Sequence, residues 1–145
     1  MLNRWVEGNL LDCCAENGIG VIAFCPLFQG LLTNKYLKGI PDVSRARIQQ
    51  SPLRKNEISE QNIRVIQELN NLAEARGQSL AQMALSWVLR SSRVTSALMG
   101  ASSVNQIKNN LEAVRNLTFS VEEEEKIDRI VAKINLPKSL WASEA

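Results

Sequence analysis

Two short stretches of this sequence combine residue types that can hold an anion. The first is Pro26-Leu27-Phe28-Gln29-Gly30-Leu31, directly after the apolar run Val21-Ile22-Ala23-Phe24-Cys25. Gly30 lets the backbone approach a ligand closely, and a turn in this place presents amide N–H groups. The second is Gly100-Ala101-Ser102-Ser103, between the run Val94-Thr95-Ser96-Ala97-Leu98-Met99 and a helical pattern. Free backbone donors, two hydroxyls and the positive end of a helix dipole converge there, which suits a phosphate. Lys35 and Arg45 follow the first stretch and add cations with reach. Spacing alone leaves each feature open. Pro-Leu after a strand also makes a plain turn, Gly-Ala-Ser-Ser before a helix also makes a plain cap, and both cations also suit a solvated surface.

Composition removes other chemistries. The 145 residues contain no histidine, which excludes Ser-His-Asp and Cys-His catalysis and any His-ligated metal within this chain. Tyr36 is the single tyrosine. Cys13, Cys14 and Cys25 form neither a C-x-x-C zinc motif nor an even disulfide set, so no metal site is expected. Free, mostly buried thiols in a reducing compartment are the expectation. A net charge of +2 implies no strongly basic face and therefore no nucleic-acid partner, although a local basic patch stays open. No apolar run approaches the roughly 18 residues of a membrane span. The first residues lack the apolar core of a signal peptide, and a cytoplasmic location is the default.

The elements that must position these stretches are legible from periodicity. Val6 to Glu16 reads as a helix with Leu10, Leu11 and Cys14 on its apolar side, stopped by Asn17-Gly18. The run 21–25 is apolar on both faces, which predicts a buried parallel strand. Gly30 to Ile58 shows no clean period, and a loop that long inside a compact domain is usually functional or disordered. Ser59 then caps a helix with the stripe Ile63, Ile66, Leu69, Leu72 and Ala73, which ends at Gly77. Ser79 with Gln82 forms a capping box before Leu80, Met83, Ala84, Trp87 and Val88. Residues 94–99 read as a second strand. Ser103 with Gln106 suggests another box before Val104, Ile107 and Leu111. Ser120 with Glu123 suggests a third, before Ile127, Ile130, Val131 and Ile134. The acidic run Glu122 to Glu125 is the solvated, positive-dipole end of that last helix, and Pro137 ends the regular structure.

Strands that alternate with helical segments indicate an α/β fold with two parallel strands, adjacent in space, and about five helices. Two strands cannot close a barrel or make a comfortable open sheet. The sheet is therefore expected to be incomplete.

The same residues carry a family resemblance. Phe24 to Thr33, then Lys35-Tyr36-Leu37, Gly39-Ile40-Pro41 and Ser44-Arg45, resembles the run after the seventh strand of aldo-keto reductases. Arg76 to Arg90 resembles the helix before the eighth strand of that family. Gly100-Ala101-Ser102, with Gln106 and Asn110, resembles the loop and helix after it. The branch is that of potassium-channel β-subunits and bacterial glyceraldehyde-phosphate or methylglyoxal reductases. Phe28 stands where a small residue is usual, Asn34 where glycine is common, and Asn109 where an acidic residue is common.

The resemblance implies a C-terminal segment of a (β/α)₈ barrel, with residues 1–145 as one partial domain carrying strands 7 and 8. It implies NADP(H) as cofactor and partner. Cys25, Pro26, Leu27, Phe28, Gln29, Gly30 and Leu31 would wrap its pyrophosphate and ribose, and Lys35 and Arg45 would hold phosphate oxygens. Gly100, Ser102, Gln106, Asn109 and Asn110 would hold the adenosine end with its 2′-phosphate. It implies reduction of aldehydes or ketones, with the catalytic residues on earlier strands and none in this chain. A full barrel needs about 250 residues. Met1 to Trp5 resembles a segment just after the sixth strand, so a fragment is expected. A small carbonyl substrate would then bind only after completion by the rest of a barrel, and exposed barrel edges would favour self-association. The alternative is a non-catalytic, NADP(H)-sensing interaction module like the channel β-subunits.

Overall fold

Serine caps fix where most of the helices begin. The computed structural model describes residues 1–40 and 55–136. Its elements run α1 (Asn9–Glu16), β1 (Ile22–Phe24), α2 (Glu60–Ala75), α3 (Leu80–Leu89), β2 (Ser96–Leu98), α4 (Val104–Leu111) and α5 (Val121–Val131). Single 3₁₀ turns lie at Trp5–Glu7, Phe28–Gly30, Asn34–Tyr36, Lys55–Ile58 and Glu112–Arg115. Ser59 Oγ accepts from the Asn62 amide before α2. Ser79 and Ser120 accept from Gln82 and Glu123, whose side chains answer the cap's own N–H, so both boxes are closed. Each such cap stabilises its helix by about 1 kcal/mol. Gly77 follows α2 at φ +69, a left-handed conformation that stops the helix.

The first helix differs from the expectation of one continuous element over 6–16. Gly8, at φ −74 and ψ −121, leaves the helical region and separates the 3₁₀ turn from α1. Leu11 is buried and Cys14 half-buried, while Leu10 is exposed. The thiols also correct the expectation of burial: Cys13 and Cys25 are exposed. Cys13 lies on the solvent side of a short helix and Cys25 in the turn after β1. Pro137 lies outside the described residues.

β1 and β2 pair in parallel, with Ile22 opposite Ser96, Ala23 opposite Ala97 and Phe24 opposite Leu98. The two are adjacent, as alternation with helices requires. Each is three residues long, shorter than the apolar runs that suggested them. Burial on both faces is not realised. Ile22, Phe24 and Leu98 are 68%, 54% and 64% exposed. Ala23 and Ala97, on the opposite face, are half-buried, and α3 packs against β2. Helices thus cover one face of the pair, and no third strand lies among the described residues.

The core lies instead in the helical layer. Ile66, Leu69 and Ala73 of α2 meet Leu80, Met83, Ala84 and Trp87 of α3, Ile127 of α5, and Leu31, Leu32 and Tyr36 from the chain after β1. The predicted stripes of α2, α3 and α5 are the residues that fill it. The stripe of α4 is not buried: Val104, Ile107 and Leu111 are 65%, 44% and 56% exposed. Buried polar groups tie the layer to the chain after α4. Gln78 Nε2 donates to Ser86 Oγ at 2.9 Å, and Ser86 Oγ donates to the Ala113 carbonyl at 2.8 Å. Among the described residues no helix is long and apolar enough to cross a membrane.

Candidate functional site

Parallel pairing of Phe24 with Leu98 places the C-terminal ends of both strands side by side. The loops that begin at Cys25 and Gly100 therefore leave the same edge of the sheet, where parallel α/β folds bind ligands. Each loop is shaped by a different local cause.

The first loop is a tight double turn. The Phe28 amide donates to the Cys25 carbonyl, Gly30 and Leu32 donate to Leu27, and Leu31 donates to Phe28, all at 2.9–3.1 Å. Cys25, Phe28 and Gln29 adopt φ values of +51, +46 and +56, and Gly30 follows at +95. Non-glycine residues in the left-handed region cost on the order of 1 kcal/mol each, and such strain concentrates where a backbone is held for a purpose. Two features anchor the turn. Leu31 and Leu32 are fully buried in the core, and Thr33 Oγ1 donates to the Gly30 carbonyl at 2.7 Å while accepting from the Lys35 amide. Thr33 was not among the expected site residues; its spacing to Lys35 is the sequence signal of a hydroxyl-closed turn.

This turn corrects part of the sequence reading. The amides of Phe28, Gly30, Leu31 and Leu32 point inward to the turn's own carbonyls and are not presented to a ligand. Pro26 and Leu31 are buried, and Leu27 and Phe28 pack against the core. What the loop offers at the surface is Cys25, Gln29 and Lys35. Gln29 Nε2 donates to Cys25 Sγ at 3.3 Å, and the Lys35 ammonium lies 5.9 Å from the Tyr36 ring centroid. Arg45 lies outside the described residues.

The second loop is open, and its donors converge. The Ser102 amide and the Ser102 hydroxyl both donate to Gln106 Oε1, at 2.8 and 3.1 Å. Ser103 caps α4 by accepting from the Gln106 amide at 3.2 Å. The capping box expected at Ser103 and Gln106 is therefore half-formed. The Gln106 carboxamide turns to Ser102, which offers it two donors where Ser103 would offer one. Gly100, Ala101, Ser102 and Gln106 are all exposed. A neutral oxygen thus sits where two donors and a helix N-terminus focus, and an anionic oxygen could take its place.

The remaining expected residues divide between two sides of α4. Asn110 Nδ2 donates to Met99 Sδ at 3.1 Å, which keeps Asn110 at the end of β2. Asn109 turns to α3, where Gln82 Nε2 donates to its carbonyl and its Oδ1 at 2.8 and 3.0 Å. The structure brings Gly100, Ser102, Gln106 and Asn110 together and sends Asn109 elsewhere. Gln82 was legible only as a capping residue; that its second function is to hold α4 follows from tertiary contact alone. A shallow concavity of about 500 Å³ lies away from both loops, between α2 and Lys133.

The family model of the Aldo/keto reductase family matches residues 1–132. The chain is 48% identical over its whole length to a protein named L-glyceraldehyde 3-phosphate reductase from Escherichia coli O157:H7, and spans 42% of that protein. It is 33% identical over 89% of its length to a probable voltage-gated potassium channel subunit beta from Oryza sativa subsp. japonica, spanning 39% of it. Among solved structures, an aldo-keto reductase from Klebsiella pneumoniae in complex with NADPH superposes with a TM-score of 0.61 at 25% identity. That match covers 95% of this chain and 38% of the other. The chain thus spans less than half the length of the relatives it matches, and the two parallel strands with their helices are part of a (β/α)₈ barrel.

Proposed function

This chain belongs to the aldo/keto reductase family, and from that premise we propose that it forms the NADP(H)-binding portion of a reductase that converts aldehydes or ketones to alcohols. In this reading β1 and β2 are barrel strands 7 and 8, and residues 1–145 form one partial domain in a cytoplasmic protein. The observation that carries the reading is the convergence of the Ser102 amide and hydroxyl on one acceptor at the start of α4. A phosphate oxygen is a better acceptor for those donors than a carboxamide oxygen.

The residues fit the adenosine end of such a cofactor better than its pyrophosphate. Ser102, Gln106 and Asn110 would hold the 2′-phosphate side, with Gly100 allowing close approach. Lys35, with Arg45, would meet phosphate oxygens. Cys25 and Gln29 would line the path from the first loop. When bound, the cofactor supplies a hydride to the carbonyl carbon. The carbonyl oxygen then needs a proton, and among the described residues no histidine or exposed tyrosine stands at the strand ends to give it. Histidine is absent, and Tyr36 is buried in the core. The chain alone is therefore expected to bind and orient but not to turn over, and a small carbonyl substrate requires the rest of a barrel. A second reading, an NADP(H)-sensing interaction module, is favoured by the similarity to the rice channel subunit.

The test is calorimetric titration of NADPH and NADH against the chain and its Ser102→Ala variant, with a steady-state methylglyoxal assay alongside. NADPH is expected to bind more tightly than NADH. Loss of one charge-assisted hydrogen bond, about 1.5–3 kcal/mol, should weaken NADPH ten- to a hundredfold. Equal affinities that ignore the substitution would overturn the reading. Turnover by the lone chain would overturn its catalytic half.

A further inference from the structure

The capping box of α3 reaches beyond the helix it closes. Gln82 Oε1 accepts from the Ser79 amide at 2.8 Å, as the box requires. An amide N–H can only donate, so this contact orients the carboxamide: its oxygen faces Ser79 and its nitrogen faces α4. There Gln82 Nε2 donates to the Asn109 carbonyl at 2.8 Å and to Asn109 Oδ1 at 3.0 Å, and Ser79 Oγ reaches the same Oδ1 at 3.5 Å. Farther along α3, Ser86 Oγ donates to the Ala113 carbonyl at 2.8 Å, in the 3₁₀ turn that follows α4. Gln82 and Ser86 are four residues apart, and so are their acceptors. The two contacts are therefore rungs of one polar ladder, spaced by about one helical turn. The Ser86 rung is buried and the Gln82 rung lies at the surface.

The Gln82 rung fixes how α4 is turned. Gln106 and Asn110 are four apart and share one face of that helix. On it, Gln106 Oε1 meets the Ser102 amide and hydroxyl, and Asn110 Nδ2 meets Met99 Sδ at the end of β2. Asn109 stands about 100° round the helix from Asn110, so a grip on Asn109 sets the direction in which the other face points. Little else holds that rotation. Among the described residues α4 has no buried side chain of its own, and the thioether that Asn110 meets is a weak acceptor.

We propose that Gln82 is a positioning residue for the group Ser102, Gln106 and Asn110. It fixes the rotation of α4 from outside the strand-end loop. It also occupies the Asn109 carboxamide, which therefore does not touch the ligand. The ligand half of this inference rests on the NADP(H) reading, and the positioning of α4 does not.

Variants of the 145-residue chain separate this latch from the cap. Gln82→Glu keeps an oxygen for the Ser79 amide, and glutamate closes a capping box as glutamine does, but its second oxygen repels the Asn109 carbonyl. Gln82→Met removes the closure and the latch together and adds no charge. Ser79→Ala weakens the cap and leaves both Nε2 bonds in place. Hydrogen exchange followed by NMR reads the Ser102 amide in the free chain, thermal unfolding reads stability, and calorimetry reads NADPH and NADH. In both Gln82 variants Ser102 should exchange faster, and NADPH should bind more weakly, by about three- to tenfold, the contribution of one neutral hydrogen bond. Ser79→Ala should melt below Gln82→Glu, whose new charge suits the first turn of α3, yet keep the parent's Ser102 exchange and NADPH affinity. Asn109→Ala added to Gln82→Glu should cost no further affinity, because a side chain held only by Ser79 and Gln82 has no ligand contact to lose. Unchanged Ser102 exchange in both Gln82 variants overturns the proposal. So does an affinity loss in Ser79→Ala equal to theirs, which would mean that binding merely follows stability. A further loss on adding Asn109→Ala would put that side chain on the ligand and overturn it as well. A parent chain that binds neither NADPH nor NADH sinks the cofactor reading, and Ser102 exchange in the free chain then decides the positioning of α4 by itself.

Discussion

Gln106→Glu isolates the feature on which the proposed phosphate seat depends. In the protein, Gln106 Oε1 accepts from the Ser102 amide and hydroxyl. A carboxylate in that place makes both hydrogen bonds charge-assisted. Neutral hydrogen bonds contribute about 0.5–1.5 kcal/mol and charged ones about 1.5–3 kcal/mol. The site is exposed, so the low end of each range applies, and each bond gains about 1 kcal/mol. A ligand phosphate must displace both, which costs about 2 kcal/mol more than in the parent, or roughly thirtyfold in affinity. Like-charge repulsion adds to the loss. The same carboxylate lies in the first turn of α4, where the helix dipole favours it, so the melting temperature should hold or rise. The expected result is opposed movement: NADPH binding falls roughly thirtyfold by calorimetry while thermal stability does not fall. Unchanged or tighter binding would refute the displacement argument, and a parallel loss of stability would mean that the substitution acted by unfolding α4.

Tyr36 has a hydroxyl that is buried and has no hydrogen-bond partner among the described residues. Tyr36→Phe should therefore be neutral or stabilising by about 1 kcal/mol in denaturant unfolding, and a loss above that would show that the hydroxyl is satisfied in solution. The amino group of Met1 is buried, and burial, assisted by Arg90 and Arg4 against the pull of Glu7, lowers its pKa from 8.0 to about 5. Between those values the unfolded chain takes up a proton that the folded chain excludes, so stability is full above about pH 8 and falls toward pH 5. The slope is at most roughly 1.4 kcal/mol per pH unit. Glu7, where burial is outweighed by Arg4 and Arg90 so that its pKa is lowered, extends the loss to lower pH. Unfolding titrations of the free and the amino-acetylated chain check this, and a free chain as flat as the acetylated one would contradict it.

The helical layer was legible in the sequence because its signals are local. Serine caps and apolar stripes at helical spacing are set within a few residues, and α2, α3 and α5 fill the core with the residues their periodicity selects. The strand runs gave the parallel pair for the same reason. Their exposure was not legible, because the apolar residues at 22, 24 and 98 encode burial against neighbours that the described residues do not include. At the candidate site, the convergence of the Ser102 amide and hydroxyl followed from a hydroxyl before a helix start. The inward amides of the first loop did not, since three left-handed residues other than glycine leave no local signature. The turn of Asn109 toward Gln82 depends on the packing of α4 beside α3, a contact between elements nearly thirty residues apart.

The central claim, that the strand ends of this chain hold NADP(H), is tested most directly by a ¹H–¹⁵N NMR titration of the chain with NADPH. The account predicts the largest shifts at the amides of Gly100 to Gln106, with smaller ones at Cys25, Gln29 and Lys35 and weaker effects throughout with NADH. Shifts confined to the α2 surface around Arg64 and Glu68, or absent at Ser102 when binding is saturated, would contradict it.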